Sequence, residues 1–413
     1  MEFIKIYDNG LKLVIKQMDG LLSVASGIFV KVGSRNESKE ENGISHFIEH
    51  NMFKGTKTRN AFQISDDIDS IGSSINAFTS KECTCYYTLS TFEHQKRTLE
   101  ILADIFLNST YPEDEVEKER GVVIEEINMT EDTPDEVCFD LLATAFHGEN
   151  GLGQTILGPI ENIKKFTRED IIKFKNKFYT PENITISIAG AVNIDDTVQL
   201  VNELFKDLIS ANRGKAVENK PQETCTKNLF KKKDIEQAHI AFSLPCYALK
   251  DKRMDALKIA NIVYGGGMSS RLFQQVREKM GLCYTVYAYA SQYENAGKLE
   301  VYAGVNPDKR DEAVSAIKAV TEEFAKNGIT EQEFTRGREQ LKSAFILSQE
   351  STSSQMKIYG KECMYFDRVF NFEQKIADIN AVTLEEVNSV IKEIYDFSKV
   401  ATATVGRAET PIK

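Results

Sequence analysis

TREDIIKFKNKFYTPENITISIAGAV, starting at Thr167, and TLEEVNSVIKEIYDFSKVATATVGRA, starting at Thr383, follow one plan. Each opens on a threonine cap with an acidic partner three residues on, runs through an amphipathic helix and ends in an apolar strand. YPEDEVEKERGVVIEEI from Tyr111 is matched in the same way by ITEQEFTRGREQLKSAF from Ile329, both acidic helix starts leading into long helices. Ahead of these stand two further strand and helix pairs: INAFTSKECTCYYTLS with HQKRTLEILADIFLN, and GKLEVYAGV with KRDEAVSAIKAVTEEFAKNG. A single match between amphipathic helices arises by chance; three in the same order mark a diverged duplication. The expected fold is therefore α+β, with two homologous domains, each an antiparallel-rich mixed sheet with helices packed on one face.

The polar stretch ANRGKAVENKPQETCTKN, residues 211–228, shows no apolar periodicity and divides the chain nearly in half. It reads as a linker between domains at 1–210 and 229–413. A chain of 413 residues with 41% hydrophobic side chains can fill two cores. The net charge of -11 speaks against a general phosphate-binding surface, so no nucleic-acid partner is expected. Seven scattered cysteines without paired Cys-x-x-Cys spacing fit reduced thiols in the cytoplasm. The alternating N-terminal pattern MEFIKIYDNGLKLVIKQ reads as a strand and hairpin rather than a secretory signal. No stretch approaches the roughly 18 consecutive apolar residues of a membrane-spanning helix, and no membrane association is expected.

The strongest local signal is GISHFIEHNMFKG. Read as a short helix, it projects His46, Glu49 and His50 together, because residues three and four apart share a face, while Phe47 and Ile48 turn toward the core. Two neutral imidazoles one turn apart suit Zn²⁺, and a catalytic zinc takes three protein ligands and leaves a position open. With only five histidines in the chain, a chance His-x-x-Glu-His is rare, so the pattern is specific.

This motif resembles the signature of the inverted-motif zinc metallopeptidases of the pitrilysin, insulysin and mitochondrial-processing-peptidase family, in a short two-domain form of bacterial type. The resemblance spans nearly the whole chain. It implies a third ligand on a long helix about 76 positions past the second histidine, and that count lands on Glu126. Glu125 beside it faces elsewhere on a helix. Glu119, seven residues earlier on the face of Glu126, is implied to act near the site; such carboxylates orient ligands. The resemblance implies one Zn²⁺ per chain, with Glu49 as the base that activates the attacking water.

It further implies that Asn76 and Ala77 lie on an edge strand that pairs with an extended peptide substrate. Arg277 and Tyr284, in VREKMGLCY, are implied to grip the substrate carbonyl, with Gly265, Gly266 and Gly267 in a loop that contacts substrate or gates access. At the repeat offset of 218 residues, Glu119 falls on Gly337 and Glu126 on Ala344. His239 is the only histidine of the second half, so the second domain carries no metal site of this type. The expected activity is a zinc metalloendopeptidase cutting peptides or unfolded, presequence-like segments in a closed chamber. The expected assembly is a homodimer in which Arg277 and Tyr284 come from the partner chain. The competing reading is a catalytically idle processing-peptidase-like subunit or peptide-binding scaffold.

Overall fold

The computed structural model describes residues 1–407. Two sheets organise the chain. The first contains β1 (Glu2–Ile6), β2 (Lys12–Gln17), β3 (Ser23–Val30), β4 (Ser74–Thr79), β5 (Thr84–Thr91) and β6 (Ile184–Gly190), in the order β1-β2-β6-β3-β5-β4. The second contains β7 (Asn228–Lys232), β8 (Ala238–Pro245), β9 (Cys283–Tyr293), β10 (Ala296–Val305) and β11 (Ala401–Gly406), in the order β7-β11-β8-β10-β9. β2 pairs in parallel with β6, as β7 does with β11, and every other pairing is antiparallel. Removing β1 leaves one shared five-strand topology, so the repetition read in the sequence is a repetition of fold.

Burial explains the strand order. The central strands β6 (ITISIAG) and β11 (ATATVG) are buried at every position, as continuous runs of small and β-branched residues require. The edge strand β7 (NLFKK) instead alternates exposed and half-buried residues. The helices that precede β6 and β11, Arg168–Phe178 and Leu384–Ile394, both carry the expected capping box, with Thr167 and Thr383 accepting from the third helical N–H.

The chain forms two compact units. One takes Met1–Ile127, Thr155–Glu218 and Leu347–Phe370; the other takes Asn128–Gln154, Asn219–Ile346 and the residues from Asn371 on. Each unit thus borrows a segment from beyond the contiguous half expected of it, and residues 408–413 of the expected second domain lie outside the described residues. In the first unit, Val24, Ile28 and Val30 face the main core, while Ala25 and Phe29 face the opposite side of the sheet. There the Thr352–Phe366 helix covers them with Met356 and Met364. Contact is close enough that a Cβ at Gly360 would lie 2.3 Å from the Phe29 ring, and one at Gly27 would lie 2.4 Å from Met356 Sδ. In the second unit, the Pro134–His147 helix sets Val137, Cys138 and Leu142 on Ala241, Tyr302, Ala403 and Val405. Among the described residues each sheet therefore carries most of its helices on one face, the expected one, and in addition one helix on the other face that the expectation of a single covered face did not include.

Candidate metal centre

The Ile44–Asn51 helix carries the two histidines. Ile44, Phe47 and Ile48 are sunk in the main core, which leaves His46, Glu49 and His50 on the remaining face. Gly43 precedes the helix at φ 101°, and a Cβ there would lie 2.6 Å from the Leu157 carbonyl, so both conformation and space demand glycine. The first turn is capped from outside the motif. Buried Glu37 accepts from the N–H groups of Gly43 and Ser45, both at 2.8 Å, and from Asn42 Nδ2 at 3.0 Å. A carboxylate at this end satisfies orphan donors and complements the helix dipole.

Glu119 and Glu126 stand two turns apart on the Glu113–Glu131 helix, which Val116 and Val123 anchor in the same core. Glu126 Oε2 lies 3.5 Å from His46 Nε2 and 3.2 Å from His50 Nε2. One donor atom from each of the three residues falls within 4.8 Å of the others, the one such cluster among the described residues. Glu125 is exposed on another face.

The donor set fits zinc in two ways. Bonds of about 2.0 Å to a tetrahedral ion place neighbouring donors about 3.3 Å apart, and both carboxylate-to-imidazole separations match. Glu126 Oε2 is also buried yet makes no well-formed hydrogen bond, although both histidines are near it. An acceptor left in that state costs free energy unless a cation occupies the space it faces.

The two histidines differ electrostatically. Burial, and then repulsion from His50, push His46 down to about 4 against the pull of Glu126. Burial also opposes protonation of His50, but its hydrogen bond to Glu119 and the close negative charge of Glu126 prevail and push it up to about 9. His50 Nδ1 meets Glu119 Oε2 at 3.0 Å, while Glu119 Oε1 meets Lys54 Nζ at 2.5 Å. Burial works the other way, yet these two partners hold the Glu119 carboxyl below the usual range. Glu119 thus sits behind His50, and its contact with Nδ1 orients the ring with Nε2 toward Glu126.

Without metal, His46 is already neutral near neutral pH and Glu126 is ionised, whereas His50 holds its proton up to about pH 9. Zinc binding at about pH 6, where a zinc-bound water still keeps its protons, should therefore release close to one proton, and affinity should fall about tenfold for each pH unit of acidification below that value. Calorimetry in buffers of different ionisation enthalpy reads the proton number directly, and release of two protons would contradict this arrangement.

Glu49 stands between the two histidines in sequence but outside the donor cluster. Its carboxylate accepts a hydrogen bond from Thr79 Oγ1 at the end of β4. Burial raises its pKa, and the Thr79 contact partly offsets this. Asn76 and Ala77 lie on β4, which is an edge of the sheet; Asn76 is exposed, and its Oδ1 accepts from the Ala77 N–H at 2.7 Å. Sequence reasoning missed Thr79, Lys54 and Glu37, each of which reaches the site through tertiary contacts.

Arg277 and Tyr284 belong to the second unit. Arg277 lies on a π-helical segment, Phe273–Lys279, and its guanidinium sits 4.5 Å from the Phe273 ring centre and 4.9 Å from that of Tyr284. The Tyr284 side chain is 76% exposed. Of the three glycines, Gly265 packs against β9, where a Cβ would lie 2.6 Å from that of Ala288, and Gly266 is as tightly placed over Ile262. Gly267 alone faces open space.

Residues 13–160 match the family described as Insulinase (Peptidase family M16), and residues 165–341 match the Peptidase M16 inactive domain. The chain is 39% identical over 387 residues to YmxG of Bacillus subtilis, described as an uncharacterized zinc protease, with 94% of each chain covered. An uncharacterized zinc protease of Streptomyces coelicolor is 34% identical over 392 residues, 94% of this chain and 85% of that one. Among solved structures, a protease from Helicobacter pylori superposes with a TM-score of 0.89 at 24% identity, covering 98% of this chain and 99% of that one. A peptidase M16 inactive domain from Pseudomonas fluorescens gives 0.91 at 16% identity over the whole of both chains. The last two likenesses concern the fold. Taken with the two sheets of one topology, the matches along the chain establish that it belongs to peptidase family M16, the insulinase family, and that its relatives are named as zinc proteases.

Proposed function

We propose that this chain is a zinc endopeptidase that hydrolyses peptides and unfolded segments, with one ion per chain held by His46, His50 and Glu126. The observation that carries the reading is the convergence of these three donors, with an acceptor oxygen left unsatisfied between them, beside a carboxylate that is not a ligand. When bound, zinc supplies Lewis acidity that acidifies a water molecule and polarises the scissile carbonyl. Glu49 takes the proton from the attacking water and delivers it to the leaving amine as the C–N bond breaks and the new C–O bond forms. Thr79 holds one Glu49 oxygen, leaving the other for that proton. The substrate lies along β4, where backbone hydrogen bonds beside Asn76 and Ala77 bind it with little regard to sequence. Zinc analysis and a quenched-peptide assay, run together on wild type and on Glu49→Gln, test the reading against an idle subunit or a scaffold.

The same reading assigns Arg277 and Tyr284 to the carbonyl oxygen on which negative charge develops. Their mutual stacking and the exposure of Tyr284 leave a cation and a hydroxyl available. We place them in the closed chamber of a homodimer, each site completed by the partner chain. Mixing Glu49→Gln chains with Arg277→Ala chains should then restore part of the activity that neither has alone, since one of the two sites in a mixed dimer is intact. No recovery after verified exchange would put the whole site in one chain. Among the described residues no helix is long and apolar enough to cross a membrane, and all seven cysteines are free thiols. Free thiols favour a reducing compartment, and we assign the protein to the cytoplasm.

A further inference from the structure

The peptide path along β4 has two sides, and only one faces the metal. Ile75 and Ala77 pack into the core that holds the histidine helix, and Thr79 reaches Glu49. Phe78 packs on the opposite face, with Phe29, Cys85 and Met356. A strand added beside β4 sends successive side chains to alternate faces, at a spacing of about 4.8 Å from its neighbour. Every second substrate residue therefore meets whatever β4 and β5 present away from the metal.

What they present is a cation on an aromatic floor. The rings of Phe78 and Tyr87 lie 6.3 Å apart, and the Lys357 ammonium sits 5.6 Å from the first centre and 4.9 Å from the second. All three side chains are partly exposed. Among the described residues no carboxylate pairs with Lys357. Elsewhere the Leu347–Phe370 segment shows what a satisfied cation looks like on this sheet, with Asp367 holding Lys12 at 2.6 Å. Lys361, one turn beyond Lys357 on the same helix, adds positive charge in place of a counter-ion. In a chain with 62 acidic and 51 basic residues, a partly buried lysine resting on two rings is an exception to the prevailing sign.

We propose that Lys357, with Phe78 and Tyr87, forms a specificity subsite for an acidic side chain of the bound peptide. The proposal rests on the peptidase reading and adds the substrate chemistry to it. The rings steer the ammonium without neutralising it. An incoming aspartate or glutamate supplies the missing charge, and its methylene groups lie on the aromatic faces. A basic residue at that position meets repulsion, and an apolar one leaves the cation without an anionic partner. The selectivity lies in ground-state binding, because the subsite faces away from the reacting bond, so it acts on KM and leaves kcat little changed.

The test uses the full zinc-loaded chain and one parent peptide, with Glu, Gln or Lys placed in turn at each position around a fixed cleavage site. In wild type, Glu should lower KM about tenfold relative to Lys at one position or at positions two apart, the worth of a charged hydrogen bond at a half-exposed site. Lys357→Glu should reverse that order at the same positions, and Lys357→Gln should flatten it. The proposal is overturned when Lys357→Glu ranks the Glu and Lys peptides as wild type does. Binding of the same labelled peptides to zinc-loaded Glu49→Gln, followed by fluorescence anisotropy, repeats the comparison without turnover. A charge preference that reverses in binding while wild type cuts nothing would sink the peptidase reading and keep the subsite; cleavage with no reversal would do the opposite.

Discussion

Glu49→Gln chains are expected to bind a full complement of zinc and to cut peptides roughly 10² to 10⁴ times more slowly than wild type, the range over which a positioned general base contributes. The side chains are nearly the same size, and the carboxylate lies outside the donor cluster, so the exchange removes a proton acceptor without removing a ligand. The Thr79 hydroxyl can still donate to the amide oxygen, which keeps the replacement in place. KM should therefore change little while kcat falls, the mark of an interaction made in the transition state. His46→Ala gives the contrasting result, because it removes an imidazole whose Nε2 faces Glu126, and both zinc and activity should go together. Near-normal turnover by Glu49→Gln would show that the base is another group. Loss of zinc from Glu49→Gln would show that Glu49 belongs to the coordination sphere.

Helix-face arithmetic suffices to put His46, Glu49 and His50 together, because the contacts that matter lie within one turn of helix. The duplicated topology was legible for a similar reason: the Thr167 and Thr383 capping boxes and the buried strands after them are local patterns. What the sequence hides is partnership at a distance. An apolar helix face announces that it will be buried without naming the sheet that buries it, so nothing in the Pro134–His147 or Thr352–Phe366 segments announces that each covers a sheet outside its own half of the chain. Lys54 and Thr79 look like ordinary surface residues in the sequence. They become parts of the site only when the fold brings one to Glu119 and the other to Glu49. Glu37 is hidden in the same way, since its acceptor role depends on the loop that returns it to the helix start.

The second large effect is expected from a comparison of neighbours. Glu126→Gln should weaken zinc binding roughly 10²- to 10³-fold, since apparent binding energies of about 10 to 16 kcal/mol shared over four positions assign roughly 2.5 to 4 kcal/mol to each ligand. A neutral amide oxygen is a poor substitute for a carboxylate beside a dication, and the easier deprotonation of His50 once Glu126 no longer raises its pKa offsets only part of that loss. Glu125→Gln, one residue away on the same helix, should leave zinc affinity within a factor of about two, because the exposed Glu125 points elsewhere and only long-range charge is lost. Both variants keep the helix, as glutamine is as good a helix former as glutamate. Competition against a chelator of known affinity measures the two constants under one condition, and circular dichroism checks the fold. Equal losses for both would mean that the acidic helix attracts the ion by its overall charge. A large loss for Glu126→Gln alone would mean that one carboxylate, delivered 76 residues downstream of His50, closes the coordination set.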